Sequence, residues 1–426
     1  MHKQSGDSAL KARRLACWAL TAVLGVGLIA ACAWSRPPKP PAPLDTSGSA
    51  APQPWQRYAD WPRADWKEFN TLRQVASPPV SAIPKVDLPI TADAERGKRL
   101  VFDRSRGGGC VACHIMGKAT PSMPGNVGPD LSEIGKARSD DWMFGYIYDP
   151  RRYNPGSVMP PWGVHGIYNV DEIKAIVAFL KTLQSPQTFT DNREDPAKRP
   201  LPVETRDNLD PTENPGLFAI DKAEALYRKP GPQGKACINC HAAPATAFRT
   251  WAAAMPRFEP QLGKIMGVEE FVTRHARATT GNDWRLQSEE NIALSVYLRH
   301  LANGATISVD LKSPEAEAAL LRGQALMARK IGQLNFACQD CHTPEKAANK
   351  WIRGQYLTES RGQLGHFPTW RTSRGEIWDM TKRFQWCGVA IRANELPPDA
   401  PEYGDLELAL TAMNIGQKIS VPGVRH

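Results

Sequence analysis

Cys110-Val111-Ala112-Cys113-His114, Cys237-Ile238-Asn239-Cys240-His241 and Cys338-Gln339-Asp340-Cys341-His342 write one pattern, C-x-x-C-H, three times along a chain of 426 residues. The pattern has a chemical reason. Two thiols about one helical turn apart can add to the two vinyl groups of one haem, and the following imidazole then faces the iron. Zinc is the rival reading, but it needs two C-x-x-C pairs to converge, and three pairs leave one over. Nine cysteines are also few for a disulfide scaffold of this length. The expectation is therefore three covalently attached c-type haems, held by Cys110, Cys113, Cys237, Cys240, Cys338 and Cys341, with His114, His241 and His342 on the irons.

The surroundings of the three motifs repeat as well. A helix-compatible stretch precedes each, at 94–102, 222–227 and 317–330, and an amphipathic stretch closes each, at 170–183, 289–301 and 403–413, with Phe179 and Tyr297 available to pack on the first helix. Helix, motif, helix is the order of elements in a small cytochrome c. The expected fold is mainly α, three tandem cytochrome c-like haem domains at 91–185, 216–310 and 311–426. Residues 186–215 carry six prolines and read as a linker. No such break separates the last two repeats, so they should form one packed two-haem domain.

Composition narrows the class: 23% charged and 42% apolar residues exclude a disordered chain and a multi-span membrane protein. Lys11, Arg13 and Arg14 precede an apolar run over 15–34, the charged and apolar regions of an export signal. Ile29-Ala30-Ala31-Cys32 resembles a lipobox, and the alternative is an uncleaved anchor of about the length a bilayer needs. Either reading gives a periplasmic protein tethered to a membrane through residues 1–32, with the proline-rich 33–90 as spacer and N-terminal extension. Of the formal charge of +9, residues 1–31 hold +3, and about six haem propionate charges would offset the rest. No Lys/Arg block marks a nucleic-acid surface.

The sixth ligand of each iron separates function from fold. For the first repeat, Met159 lies in the rigid loop Asn154-Pro155-Gly156-Ser157-Val158-Met159-Pro160-Pro161 ahead of the closing helix, where a distal methionine belongs, with His165 as the alternative. For the second, His275 is favoured over Met255, Met266 and His300. In the third, Cys387 is the one cysteine after Cys32 outside the motifs, with Arg383 at i−4 and Arg392 at i+5. Cationic neighbours hold a thiol as thiolate, the form that binds ferric iron and attacks sulfur, and would hold a small oxyanion beside it. His366 reads as structural.

These residues resemble a fusion of the two subunits of SoxXA cytochromes of the Sox thiosulfate-oxidising system. The last two repeats are similar to SoxA through Gly332-Gln333-Leu334-Asn335-Phe336-Ala337-Cys338, Lys382-Arg383-Phe384-Gln385-Trp386-Cys387 and Glu402-Tyr403-Gly404-Asp405-Leu406-Glu407-Leu408. The first resembles SoxX through Gly125-Asn126-Val127-Gly128-Pro129-Asp130-Leu131 and Val158-Met159-Pro160. The resemblance implies an L-cysteine S-thiosulfotransferase that couples thiosulfate to a cysteine of the carrier SoxYZ and delivers two electrons to an external cytochrome c. It implies Cys387 as active-site cysteine and haem ligand, Arg383 as its arginine, and Met159 as the distal ligand of the first haem. His275 departs from the family, which typically places a cysteine there. The competing functions are a thiosulfate dehydrogenase making tetrathionate and a pure electron carrier.

Overall fold

Three helix pairs organise the protein. In the computed structural model, α1 (Ala94–Phe102), α2 (Asp140–Tyr148) and α3 (Val170–Lys181) belong to the first repeat, α4 (Phe218–Arg228), α5 (Val268–Thr280) and α6 (Glu289–His300) to the second, and α7 (Pro314–Ala328), α8 (Met380–Ala390) and α9 (Pro401–Ala412) to the third. The described residues are 72, 80–106, 109–120, 122–202, 210, 212–352 and 354–426. They belong to one compact unit, Leu44–His426, while the other unit, Met1–Pro43, lies outside them. The 15–34 run and Cys32, on which the expected export signal and tether rest, therefore lie outside the described residues. Among the described residues no helix is long and apolar enough to cross a membrane.

Local signals set the helix starts. Asp93 accepts from the Arg96 N–H at 3.0 Å to open α1, Asn169 and Glu172 form a capping box on α3, Ser288 caps α6, and Asp379 caps α8. Each opening helix then crosses its closing partner at a small residue. A Cβ on Gly97 would stand 1.9 Å from the Ala175 carbonyl oxygen, and one on Gly323 would stand 2.1 Å from that of Asp405. In the second repeat the fully buried Ala223 takes this place. Aromatic pairs lock two crossings edge to face, Phe102 with Phe179 at 6.0 Å and Tyr227 with Tyr297 at 5.7 Å.

The first repeat does not stand apart behind its linker. Leu334 and Phe336, from the loop leading to the third motif, are buried in the core of the first repeat with Val101, Met143, Ile173 and Phe179. Each such side chain contributes roughly 1.5–3 kcal/mol to the join. The loop can enter because Gly332 and Asn335 take φ of 72° and 56°. Asn126 adds a polar clamp, its N–H donating to the Trp351 carbonyl at 3.1 Å and its Oδ1 accepting from the Trp351 N–H at 2.8 Å. The described part of 186–215 is strapped down as well. Glu194 accepts from Ser122 and from the Met123 N–H, Arg199 lies 4.6 Å over the Trp351 ring, and Asn214 donates to the Pro422 carbonyl at 2.7 Å.

Short strands, absent from a mainly α reading, fill the spaces between helices. β1 (Arg257–Glu259) pairs with β2 (Lys264–Met266), and β3 (Trp351–Ile352) with β4 (Gln355–Tyr356). β5 (Thr369–Arg371) is flanked by antiparallel β6 (Glu376–Trp378) and by parallel β7 (Gly423–Arg425), which sets Arg371 beside Arg425. This three-stranded sheet delivers side chains to the end of α8.

Candidate functional site

Each motif histidine is reached through its backbone surroundings. In the first repeat the His114 Nδ1 stands 2.7 Å from the Pro129 carbonyl oxygen, which fixes Nδ1 as the protonated nitrogen and leaves Nε2 for a metal. Gly128 makes room for that ring: a Cβ there would fall 2.2 Å from His114 Cε1. Burial keeps His114 below its ordinary pKa. Met159 packs against the same core, its loop tightened by a 3.1 Å bond from its N–H to Ser157 Oγ. Met116 and Met143 are sunk in that core. His165 serves the join between repeats: its Nδ1 lies 2.8 Å from the Gln333 carbonyl, and Gln333 Nε2 donates back to the His165 carbonyl at 2.8 Å.

In the second repeat Cys237, Cys240, His241, Phe271, His275 and Trp284 line a common cleft. The His241 and His275 ring centroids face each other 5.9 Å apart. Two metal–nitrogen bonds of about 2 Å plus half a ring on either side fill such a gap. His275 is held by stacking on Phe271 at 4.8 Å, from one turn earlier on α5. His300 is half-buried, and its Nδ1, 2.8 Å from the Val421 carbonyl, pins α6 to the C-terminal segment. Met255 and Met266 are buried.

The third repeat holds the distinctive chemistry. His342 Nδ1 stands 2.8 Å from the Thr358 carbonyl, repeating the arrangement at His114. The Cys387 thiol, on α8, lies close enough to the His342 imidazole to be drawn down by it, which brings two metal donors into one neighbourhood. Burial pushes the Cys387 thiol up, but Arg383, His342 and Arg371 outweigh it and bring it down to about 7. Cys110, Cys338 and Cys341, buried without such cations, are pushed up to about 12. Arg383 lies 4.9 Å over the Trp386 ring, Arg371 5.5 Å over Trp378, and the two indoles stand 5.9 Å apart.

The structure alters the assignment at Arg392. Helix α8 ends at Ala390, and Arg392 turns into the left-handed region at φ 61°, so it is not one turn past Cys387 on the same face. Its guanidinium donates to Gln333 Oε1 at 2.5 Å and to the Ser105 carbonyl at 3.2 Å, joining the third repeat to the first. The second cation at the thiol is Arg371, from a strand 16 residues upstream by sequence number. No spacing rule signals it. His366 lies 3.3 Å from the Ser420 carbonyl through Nδ1 and packs the loop before β5. The first and third motifs also approach one another. A Cβ on Gly125 would meet both the Ala112 and Trp351 carbonyl oxygens, and the Cys341 thiol feels Cys113.

A family model described as SoxA/TsdA, cytochrome c domain, matches residues 222–307, and one described as cytochrome C oxidase, mono-heme subunit/FixO, matches residues 124–215. The L-cysteine S-thiosulfotransferase subunit SoxA of Pseudaminobacter salicylatoxidans is 29% identical over 227 residues, 53% of this chain and 78% of that subunit. Its counterpart from Allochromatium vinosum is 28% identical over 281 residues, 63% of this chain and 95% of the subunit. The crystal structure of SoxXA from P. pantotrophus is 25% identical over 50% of this chain and 80% of the matched chain, with a TM-score of 0.46. Cytochrome c domains imply covalently bound haem c. The paired thiols, the carbonyl-anchored His114 and His342, and the facing His241 and His275 fit that group. Among the described residues no three or more His, Cys, Asp or Glu gather as a metal cage, as zinc would require.

Proposed function

We propose that this chain is a SoxXA-type L-cysteine S-thiosulfotransferase, a trihaem cytochrome joining thiosulfate to a cysteine of a SoxYZ carrier. The carrier thiolate and the sulfane sulfur of thiosulfate form a new S–S bond. A carrier thiolate RS⁻ and S₂O₃²⁻ give RS–S–SO₃⁻ and two electrons, which pass to an external cytochrome c. Haem c, held by the three Cys pairs and by His114, His241 and His342, supplies when bound an acceptor for one electron at a time. Met159, His275 and Cys387 complete its three coordination sets in this reading. The work proceeds in the periplasm, with residues 1–32 as export signal and tether.

The chain's own residues do the rest. Arg383 orients the dianion at the end of α8, its guanidinium braced on Trp386. Cys387, drawn toward the thiolate by its cationic neighbours, takes up thiosulfate as Cys387–S–SO₃⁻ with release of the two electrons, and the carrier thiolate then attacks the sulfane sulfur, giving RS–S–SO₃⁻ and restoring the Cys387 thiolate. Asn126 and Trp351 fix the first motif against the third, the short separation that electron transfer between them needs. The observation that carries the reading is the Cys387 thiol set beside the motif histidine His342 and under the influence of two arginines, Arg383 and Arg371.

The test is carrier dependence. Holoprotein mixed with thiosulfate and a ferric acceptor cytochrome is expected to reduce it only when SoxYZ is added, with the carrier gaining the mass of one S–SO₃ group. Equal reduction without carrier, with tetrathionate accumulating, would replace this reading by a thiosulfate dehydrogenase. No reduction under either condition would leave an electron carrier.

A further inference from the structure

Arg371 on β5 and Arg383 on α8 each lie against one of two adjoining indoles, and the charge of both reaches the Cys387 thiol, next in sequence to Trp386. Neither guanidinium makes a hydrogen bond or ion pair among the described residues, and the buried Arg371 Nε donates to no group there. The carboxylate that could neutralise Arg371 is spoken for. Glu376, its partner across the hairpin, accepts from Lys382 Nζ at 2.8 Å and from Trp378 Nε1 at 2.9 Å. Arg374, over both indoles, and Arg425, beside Arg371 in the sheet, add further positive charge. Burial first, and then Arg383, Arg425 and Arg374, hold the Arg371 guanidinium down to about 9. A half-buried guanidinium among like charges, its Nε shut off from water and unpartnered, is costly unless an anion joins it.

We propose that Arg371 is the second arm of an oxyanion clamp at Cys387, gripping the sulfonate oxygens of the substrate dianion while Arg383 holds it from the helix side; this rests on the thiosulfate reading above. The planar guanidinium fork suits two oxygens of a tetrahedral anion, and its fixing on Trp378 spares the entropy of ordering a free arginine. Gripped at its oxygens, the anion presents its sulfane end to Cys387. A haem propionate carries the same oxyanion chemistry and is the other source that could fill the clamp.

The experiment compares R371Q and R371K with wild-type holoprotein. It measures the KM for thiosulfate, competitive inhibition by sulfate as an unreactive tetrahedral dianion, and the midpoint potential of the third haem. Losing a charged hydrogen-bond partner predicts a KM for R371Q raised about ten- to a hundredfold, more than kcat falls. Sulfate inhibition weakens in parallel, and R371K, which keeps the charge, recovers part of both and leaves the third-haem potential at its wild-type value. A KM and sulfate inhibition for R371Q within twofold of wild type overturn the proposal, and so does a shifted third-haem potential in the charge-conserving R371K, which assigns the fork of Arg371 to a propionate. Should the wild type show no carrier-dependent turnover, sulfate binding to the resting holoprotein by calorimetry still decides: tenfold weakening in R371Q supports the clamp, equal affinity removes it.

Discussion

Cys387→Ala is expected to abolish carrier-dependent thiosulfate consumption, a loss on the order of a thousandfold or more, while all three haems remain covalently attached. The reasoning is that nothing nearby can take over. Among the described residues the other thiols belong to the C-x-x-C-H motifs and are committed to haem thioethers in this account. Covalent attachment needs only the motif cysteines, so haem content by alkaline pyridine spectrum is the control. Retained turnover in the variant would remove Cys387 from the mechanism.

The second large effect is expected at Gly128→Ala. The added methyl would fall 2.2 Å from His114 Cε1 and 2.6 Å from both ring nitrogens, far inside any tolerable contact. Either the imidazole rotates or the Asn126–Pro129 turn moves, and both break the 2.7 Å bond from Nδ1 to the Pro129 carbonyl. Overpacking of this kind costs about 1–3 kcal/mol, and loss of the group orienting a metal ligand costs about ten- to a hundredfold in metal affinity or activity. The Asn126 clamp on Trp351 sits in the same turn, so the variant should also loosen the join between first and third repeats. Turnover should fall with an altered spectrum of the first haem only. Gly156→Ala, whose Cβ would meet nothing nearer than Asn154 Oδ1 at 3.6 Å, is the matched control and should behave as wild type.

What the sequence makes legible follows its periodicities. The helices at 94–102, 170–181 and 289–300 could be read because apolar residues recur at helical spacing and because a fixed chemical motif sits between each pair. The packing of Phe179 and Tyr297 follows from the same spacing. The sheet β5-β6-β7 could not be read: its strands are three residues long, and β7 comes from the C-terminal end to pair in parallel with a strand some fifty residues earlier. That long-range pairing sets Arg371 within electrostatic reach of Cys387, so this cation comes from tertiary structure and not from the sequence around the thiol. Arg392 failed for the converse reason. Counting it at i+5 assumes a continuing helix, and the left-handed turn after Ala390 sends its guanidinium to Gln333 and Ser105 instead. The burial of Leu334 and Phe336 in the first repeat was equally hidden, because a short apolar loop carries no sign of which core it enters.

The central claim is that the Cys387 sulfur and His342 share one iron. Electron paramagnetic resonance of the resting, oxidised holoprotein, alongside Cys387→Ser, tests it most directly. The account predicts a low-spin ferric signal of thiolate type in the wild type that vanishes in the variant while the signals of the other two haems persist. A wild-type spectrum without that signal, or one that survives loss of the Cys387 sulfur unchanged, contradicts it.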